Sequence, residues 1–124
     1  MRACPSCSAT LRGVEGSASA QCPACHGLWV PSSVLPAGGV GLFQTMLAGL
    51  KPMPSKGTMS CPDGDTSSLE TLGSRKFRVR RCPDCRGVWL DAGTLARLRE
   101  EITPRWRGFL TNAFGKGLAD VIAG

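Results

Sequence analysis

The stretch Cys82-Pro-Asp-Cys-Arg-Gly-Val-Trp-Leu-Asp-Ala-Gly-Thr-Leu95 decides the organisation of the chain, because an earlier segment repeats it almost position for position. That segment is Cys22-Pro-Ala-Cys-His-Gly-Leu-Trp-Val-Pro-Ser-Ser-Val-Leu35. The two copies share both cysteines, the proline between them, the glycine, the tryptophan and the closing leucine. An internal repeat sets the number of structural units. We therefore expect two related units within the 124 residues.

Cysteines provide the means of stabilising units of this size. Below about 40 residues a domain usually needs a metal or disulfides, because it cannot bury enough apolar surface. Six of the 7 cysteines form Cys-Pro-x-Cys pairs, at 4/7, 22/25 and 82/85, and Cys61 stands alone in Cys61-Pro-Asp-Gly64. The N-terminal Met-Arg-Ala-Cys-Pro has no apolar signal-peptide core, which predicts a cytoplasmic protein whose thiols stay reduced and bind zinc.

The first unit, residues 1–35, contains two cysteine pairs separated by fourteen residues, Ser8 to Gln21. Apolar Leu11 and Val14 alternate there with turn-forming glycines, which predicts a short hairpin. Two such pairs bring four sulfurs to one ion at about 2.3 Å, the tetrahedral arrangement of a closed structural zinc site. We therefore predict a Zn²⁺ site whose ligands are Cys4, Cys7, Cys22 and Cys25.

The second unit, residues 61–102, lacks one ligand, because Gly64 stands where the fourth cysteine would be. Three cysteines leave zinc an open position, which water or a carboxylate usually fills. Three alternatives stay open: Asp65 or Asp63 completes the site, solvent fills it, or the unit holds no metal. We favour a second Zn²⁺ site made by Cys61, Cys82 and Cys85 with Asp65.

The strand-like segment 75–81 concentrates positive charge. Its pattern places Phe77 and Val79 on one face and basic residues on the other, and ten of the fifteen basic residues lie between positions 75 and 107. Clustered cations neutralise phosphates, and Trp89 is a candidate for stacking on a base. The alternative is a solvated face beside thiolates, whose charge lowers the formal +6 to about +3 when two zinc ions are bound. The candidate nucleic-acid-binding residues are Arg75, Lys76, Arg78, Arg80 and Arg81.

Three helices are predicted. In the connector, residues 36–60, the stripe Phe43, Met46, Leu47 and Leu50 indicates a short amphipathic helix over Val40–Leu50. We expect it to pack on the Trp29 side of the first unit; the alternative is a helix that binds a partner. After Trp89, Asp91 is the expected N-cap of a helix with an apolar stripe of Leu95, Leu98 and Ile102.

The third helix occupies the C-terminal segment, residues 103–124, where Thr103 is the expected N-cap and Pro104 the first helical residue. Its apolar residues follow the helical period, and they exceed what two small units can cover. We predict that this segment binds a protein partner or a second copy of the chain through Trp106, Phe109, Leu110, Phe114 and Leu118. A membrane surface and the chain's own units are the other candidate contacts.

The pattern Cys-Pro-x-Cys-x-Gly-Val-Trp-Leu-Asp-x-Gly-x-Leu resembles the small bacterial zinc ribbons named after the transcription factor IIB zinc finger. The resemblance covers residues 4–35 and 61–98, with Cys82 to Leu95 the closer match. The first copy has Pro31, Ser32 and Ser33 in place of Asp-x-Gly, and Thr94 stands where the family commonly has Glu. The resemblance implies a zinc-stabilised binding module.

The predicted fold class is therefore small zinc-stabilised α+β: two tandem zinc ribbons, each followed by a short helix, plus a C-terminal amphipathic helix. An enzyme is disfavoured, because the sole histidine, His26, adjoins a metal ligand and the sequence shows no catalytic triad or phosphate loop. No small-molecule substrate is expected. The predicted function is a zinc-binding adaptor for a protein partner, and the alternative is a nucleic-acid-binding ribbon that uses the basic segment 75–81.

Overall fold

A computed structural model describes residues 2–34, 49–54, 59–63, 68–74, 77–101, 108, 111–112 and 116–123. Within these residues the protein is a small α+β structure with one antiparallel sheet and two short helices. The strands are β1 Arg12–Gly13, β2 Ala20–Gln21, β3 Leu28–Val30, β4 Lys51–Met53, β5 Glu70–Gly73, β6 Arg78–Arg81 and β7 Val88–Leu90. The helices are α1 Ala92–Glu101 and α2 Lys116–Ala123.

Both repeats contribute to this single sheet, whose strand order is β1-β2-β3-β7-β6-β5-β4. The repeats join where β3 pairs with β7, and each strand continues directly from its Cys-Pro-x-Cys segment. Trp29 lies opposite Trp89, while Leu28 lies opposite Leu90 and Val30 opposite Val88. Trp29 therefore pairs with its own equivalent in the second copy. The two repeats are related by an approximate twofold axis through this tryptophan pair.

The two faces of the sheet bury different kinds of residue, because successive side chains on a strand point to opposite sides. One face, with Leu28, Val30, Val88 and Leu90, packs against both helices, and the core there also includes Leu95, Leu98, Leu118, Ala119 and Ile122. The other face carries Trp29 and Trp89 together with cysteines from both repeats. The sheet thus separates an aliphatic layer from a layer of tryptophan and sulfur.

The predicted hairpin between the first two cysteine pairs is confirmed. β1 pairs antiparallel with β2, with Arg12 opposite Gln21, and the Val14 amide donates to the Ser19 carbonyl at 2.9 Å. Gly16 has φ +74° in the turn, a conformation that costs glycine little because it has no Cβ. The turn therefore uses a glycine that the sequence had marked.

Helix α1 begins as predicted. Asp91 Oδ1 accepts a 2.8 Å hydrogen bond from the Thr94 amide, which satisfies one of the free amides of the first turn. Thr94 is itself buried and its hydroxyl donates to the Arg78 carbonyl at 2.6 Å. Thr94 therefore ties α1 to β6. Ile102, the predicted third member of the stripe, lies outside the described residues.

The region between the repeats differs from the prediction of a helix after each ribbon. After β3, residues 31–34 form a turn in which the Val34 amide donates to the Pro31 carbonyl at 2.9 Å. The predicted helix over Val40–Leu50 falls mostly outside the described residues, and Leu50 is a buried, non-helical residue before β4. Strand β4 was not predicted, because Pro52 disfavours strands; it is tolerated here since β4 is an edge of the sheet.

Helix α2 lies against the chain's own sheet. Leu118 and Ile122 are fully buried in the aliphatic layer, and Gly117 lies so close to the Glu15 carbonyl of the first hairpin that a Cβ would collide with it. The Arg99 guanidinium of α1 donates to the Val121 carbonyl at 2.8 Å. The assignment of Leu118 to a partner surface is therefore wrong, because its side chain is enclosed by its own core. No helix among the described residues is long and apolar enough to cross a membrane.

Candidate metal centres

The structure brings the four cysteines of the first ribbon together. All four sulfurs lie within 4.8 Å of one another, with Cys4 Sγ 3.5 Å from Cys25 Sγ and Cys7 Sγ 3.4 Å from Cys22 Sγ. Four thiolates about 2.3 Å from a tetrahedral zinc lie about 3.8 Å apart, so the set fits this ion with little adjustment. The predicted first metal site is supported by this geometry.

Each Cys-Pro-x-Cys segment is closed by a residue with left-handed backbone, at Ser8, His26 and Arg86, all with φ 66°. The amide of that residue donates back to the first cysteine's carbonyl, as from His26 to Cys22 at 3.0 Å and from Arg86 to Cys82 at 3.0 Å. Left-handed backbone is uncommon outside glycine. Residue type alone does not reveal these positions, although their place directly after the second cysteine is common to all three.

The second cluster contains Cys61, Cys82 and Cys85, whose sulfurs also lie within 4.8 Å of one another. Cys61 Sγ is 3.6 Å from Cys85 Sγ, and the Cys85 amide donates to Cys82 Sγ at 3.4 Å. The Cys25 amide makes the equivalent contact with Cys22 Sγ at 3.3 Å in the first cluster. Three of the predicted ligands therefore repeat the geometry of the first site.

The two aspartates considered as a fourth ligand have different outcomes. Asp65 lies outside the described residues. The Asp63 carboxylate is engaged elsewhere: Oδ2 accepts a hydrogen bond from Trp29 Nε1 at 3.1 Å, and Oδ1 pairs with Arg2 Nε at 2.6 Å. Among the described residues, the cluster of candidate ligand atoms contains the three sulfurs but no carboxylate oxygen of Asp63. Its carboxylate therefore joins the two ribbons rather than closing the cluster.

Residues 60–101 match the family model described as transcription factor zinc-finger. The second unit is a TFIIB-type zinc ribbon. The first cysteine cluster and the repeat indicate another ribbon of this kind, although the match does not extend to it. Comparison with curated proteins and with solved structures gave no match.

The thiols at equivalent positions of the TFIIB-type ribbon and the first ribbon have pKa values shifted in the same direction. Burial raises the pKa of Cys4 and of Cys61 to about 12. Burial also disfavours ionised Cys22, but the amides of Cys25 and Ala24 and nearby thiols outweigh it and lower the pKa of Cys22 to about 6. At Cys82 burial is likewise outweighed by backbone amides, and its pKa is lowered.

The tryptophans pack crosswise between the first ribbon and the TFIIB-type ribbon. A Cβ at Gly27 would lie 2.6 Å from Trp89 Cη2, and one at Gly87 would lie 2.6 Å from Trp29 Cη2. Each glycine follows its cysteine pair by two residues, and only glycine leaves room for the ring of the other ribbon. The Cys-x-Gly-x-Trp spacing shared by the two copies is therefore explained by contact between them.

Only part of the basic strand of the TFIIB-type ribbon is exposed for contact with a nucleic acid. Arg81 pairs with Glu70 at 2.8 Å, Arg80 is half-buried and Arg78 is exposed, while Arg75 and Lys76 lie outside the described residues. Trp89 is 1% exposed, so the prediction that it stacks on a base is wrong: its ring is covered by the first ribbon. The positions of the other basic residues do not test whether they bind nucleic acid, so this remains a prediction.

Proposed function

We propose that this chain is a non-enzymatic, zinc-held scaffold that presents a C-terminal apolar segment to a protein partner. The scaffold part of the proposal is supported by the single sheet, which has both cysteine clusters on one face. Structural zinc supplies about 10 to 16 kcal/mol of apparent folding free energy in small zinc domains. The aliphatic layer on the opposite face buries Leu118 and Ile122 of α2, and we propose that the partner contacts the segment before this helix.

The docking part of the proposal rests on the residues that precede α2. Leu118, Ala119 and Ile122 account for the buried face of that helix, whereas the helical residues Gly108, Thr111 and Asn112 are exposed. The apolar residues proposed to contact the partner are Trp106, Phe109, Leu110 and Phe114, which lie outside the described residues.

The test is affinity recovery of the full-length chain from its host, with Phe109→Ser/Phe114→Ser compared with the wild type. The expected result is one partner that is lost with this variant and kept with the exposed-residue control Thr111→Ala/Asn112→Ala. Zinc content, measured on each sample, should be unchanged. Equal recovery by both variants would contradict the docking proposal.

The metal clusters are proposed to be structural rather than catalytic. Cys4, Cys22, Cys61 and Cys82 are buried, and the tryptophans cover the face on which they lie. This proposal also places the chain in a reducing compartment such as the cytoplasm, where the seven free thiols remain available to zinc. A zinc-dependent hydrolase activity that survived Cys4→Ser and disappeared with Cys82→Ser would contradict it.

A nucleic-acid-binding ribbon is the second candidate, favoured by one groove beside the start of β6 and the N-terminal end of α1. The groove has a volume of about 310 Å³ and is lined by the basic residues Arg78 and Arg97 and by Ser74, Phe77, Asp91, Gly93 and Thr94. Both arginines are exposed and suited to phosphate contacts. Binding to DNA or RNA should fall steeply with salt and weaken in Arg78→Glu/Arg97→Glu but not in Arg12→Glu; salt-insensitive binding would contradict this candidate.

A further inference from the structure

Each cysteine cluster is covered by a side chain that belongs to the other ribbon. Trp29 is in the first ribbon, yet its ring packs on Gly87, two residues after Cys85. Its indole nitrogen donates to Asp63, two residues after Cys61. Trp29 therefore touches both ligand-bearing segments of the TFIIB-type ribbon and is itself fully buried.

Trp89 makes the reciprocal contact on the first ribbon. Its ring packs on Gly27, two residues after Cys25, and it is 1% exposed. Its indole nitrogen is buried, and no described residue accepts a hydrogen bond from it. The two tryptophans thus make equivalent ring contacts, but only Trp29 has a hydrogen-bond acceptor for its indole nitrogen among the described residues. In the first ribbon Ser6 occupies the position that Asp63 has in the second.

We propose that the two metal sites form a linked pair in which the tryptophan of each ribbon shields the metal site of the other. The inference rests on the zinc binding proposed above for both clusters. It assigns Trp29 as a positioning residue for the Cys61, Cys82 and Cys85 site, and Trp89 as one for the Cys4, Cys7, Cys22 and Cys25 site. Neither tryptophan is a ligand.

The path between the sites is short and is visible in the hydrogen bonds. The Cys22 amide donates to the Gly27 carbonyl at 2.9 Å, and the Cys82 amide donates to the Gly87 carbonyl at 2.9 Å. Each ligand segment is thereby tied to the glycine that supports the opposite ring. When metal leaves one cluster, this loop loses its fixed shape, and the tryptophan of the other ribbon loses its contact surface.

Geometry also explains why the cover must come from the opposite ribbon. β3 and β7 are antiparallel neighbours with Trp29 opposite Trp89, so each strand starts beside the end of the other. A tryptophan one residue inside its strand then faces the glycine that precedes the partner strand. The exposure of each cluster consequently depends on the pairing of both strands, and not on its own ribbon alone.

The test follows cysteine alkylation during chelator challenge of the full-length, zinc-loaded chain, with peptide mapping by mass spectrometry. Trp29→Phe should accelerate the initial alkylation of Cys61, Cys82 and Cys85 at least about fivefold, the lower end of typical coupling between sites. Trp89→Phe should instead accelerate alkylation of the four cysteines of the first ribbon. Phe77→Leu, which alters a partly buried residue on the aliphatic face, should change neither rate.

A second variant keeps the test decisive if a tryptophan variant unfolds. Cys61→Ser removes one ligand from the TFIIB-type ribbon and leaves the first cluster intact, yet it should also raise the alkylation rate of Cys4, Cys7, Cys22 and Cys25 about fivefold. Unchanged rates there, or initial acceleration in the ribbon that carries the tryptophan substitution, would overturn the inference. A wild-type chain that contains no zinc would overturn both this inference and the proposed function. Normal zinc content, with neither tryptophan substitution accelerating alkylation in the opposite ribbon, would overturn the inference alone.

Discussion

The substitution Gly87→Ala tests the crosswise packing most directly, because it adds one methyl group at the contact. The new Cβ would lie 2.6 Å from Trp29 Cη2, against ordinary carbon contacts of about 3.5 to 4.0 Å. Because Trp29 Cζ2 lies closer still to the new Cβ, the ring would have to move by more than about 1 Å. Trp29 is fully buried on a paired strand, so this movement disturbs the metal-side core.

The expected loss follows from two opposing effects. Overpacking of a core costs about 1 to 3 kcal/mol, while replacing glycine by alanine at a compatible φ returns about 0.4 to 1 kcal/mol through the unfolded state. Gly87 does not have a positive φ, so this second effect applies. The net prediction is a decrease of about 1 to 2 kcal/mol in the free energy of unfolding.

The assay is urea unfolding of the zinc-loaded chain, followed by tryptophan fluorescence. Gly13→Ala is the matched control, because a Cβ there meets nothing within 4 Å and Gly13 also lacks a positive φ. Trp29→Phe combined with Gly87→Ala should recover part of the loss, since the smaller ring leaves room for the methyl group. If Gly87→Ala is as stable as Gly13→Ala, the Trp29 ring does not pack against Gly87.

Three further predictions concern the helix cap, an unpaired indole and the metal ligands. Asp91→Ala should lower the free energy of unfolding by about 1 kcal/mol, measured by urea unfolding; no change would mean that the cap is not formed. Ser6→Asp should stabilise the chain by about 1 kcal/mol by giving Trp89 Nε1 an acceptor, and the gain should vanish when Trp89→Phe is also present. Zinc affinity should rise with pH, because Cys4, with a pKa of about 12, must lose a proton to bind the ion, whereas Cys22, with a pKa of about 6, is largely ionised at pH 7. Calorimetry in buffers of different ionisation enthalpy counts the protons released on zinc binding, and an affinity that does not depend on pH would refute this prediction.

Local patterns predicted the local parts of the structure. The hairpin before Cys22 and the Asp91 cap each depend on residues only a few positions apart, so turn and capping chemistry was sufficient. The cysteine clusters were equally accessible, because metal-ligand spacing is a short-range feature. The family match to residues 60–101 confirms the second unit as a TFIIB-type zinc ribbon, and the repeat together with the first cysteine cluster indicates another ribbon of this kind.

Contacts between the ribbons were not predictable in the same way. Nothing in the sequence specifies that β3 pairs with β7, because the pairing joins residues 60 apart such as Trp29 and Trp89. Without that register, Trp89 resembles an exposed ring for base stacking and Asp63 resembles a metal ligand. Both acquire their observed partners only when the ribbons are joined.

The pairing of β3 with β7 is equivalent to the isologous interface of a twofold dimer contained within one chain. In a homodimer every substitution near the axis appears twice, so both halves change together. Here the two halves are separate segments of one chain, so a substitution in one half does not appear in the other. Asp63 anchors Trp29 while Ser6 leaves Trp89 without that anchor, and Gly64 replaces a cysteine that the first ribbon retains as Cys7. Covalent linkage thus allows two nearly symmetrical cysteine clusters to differ in their number of cysteines, which a symmetric dimer of identical chains cannot do.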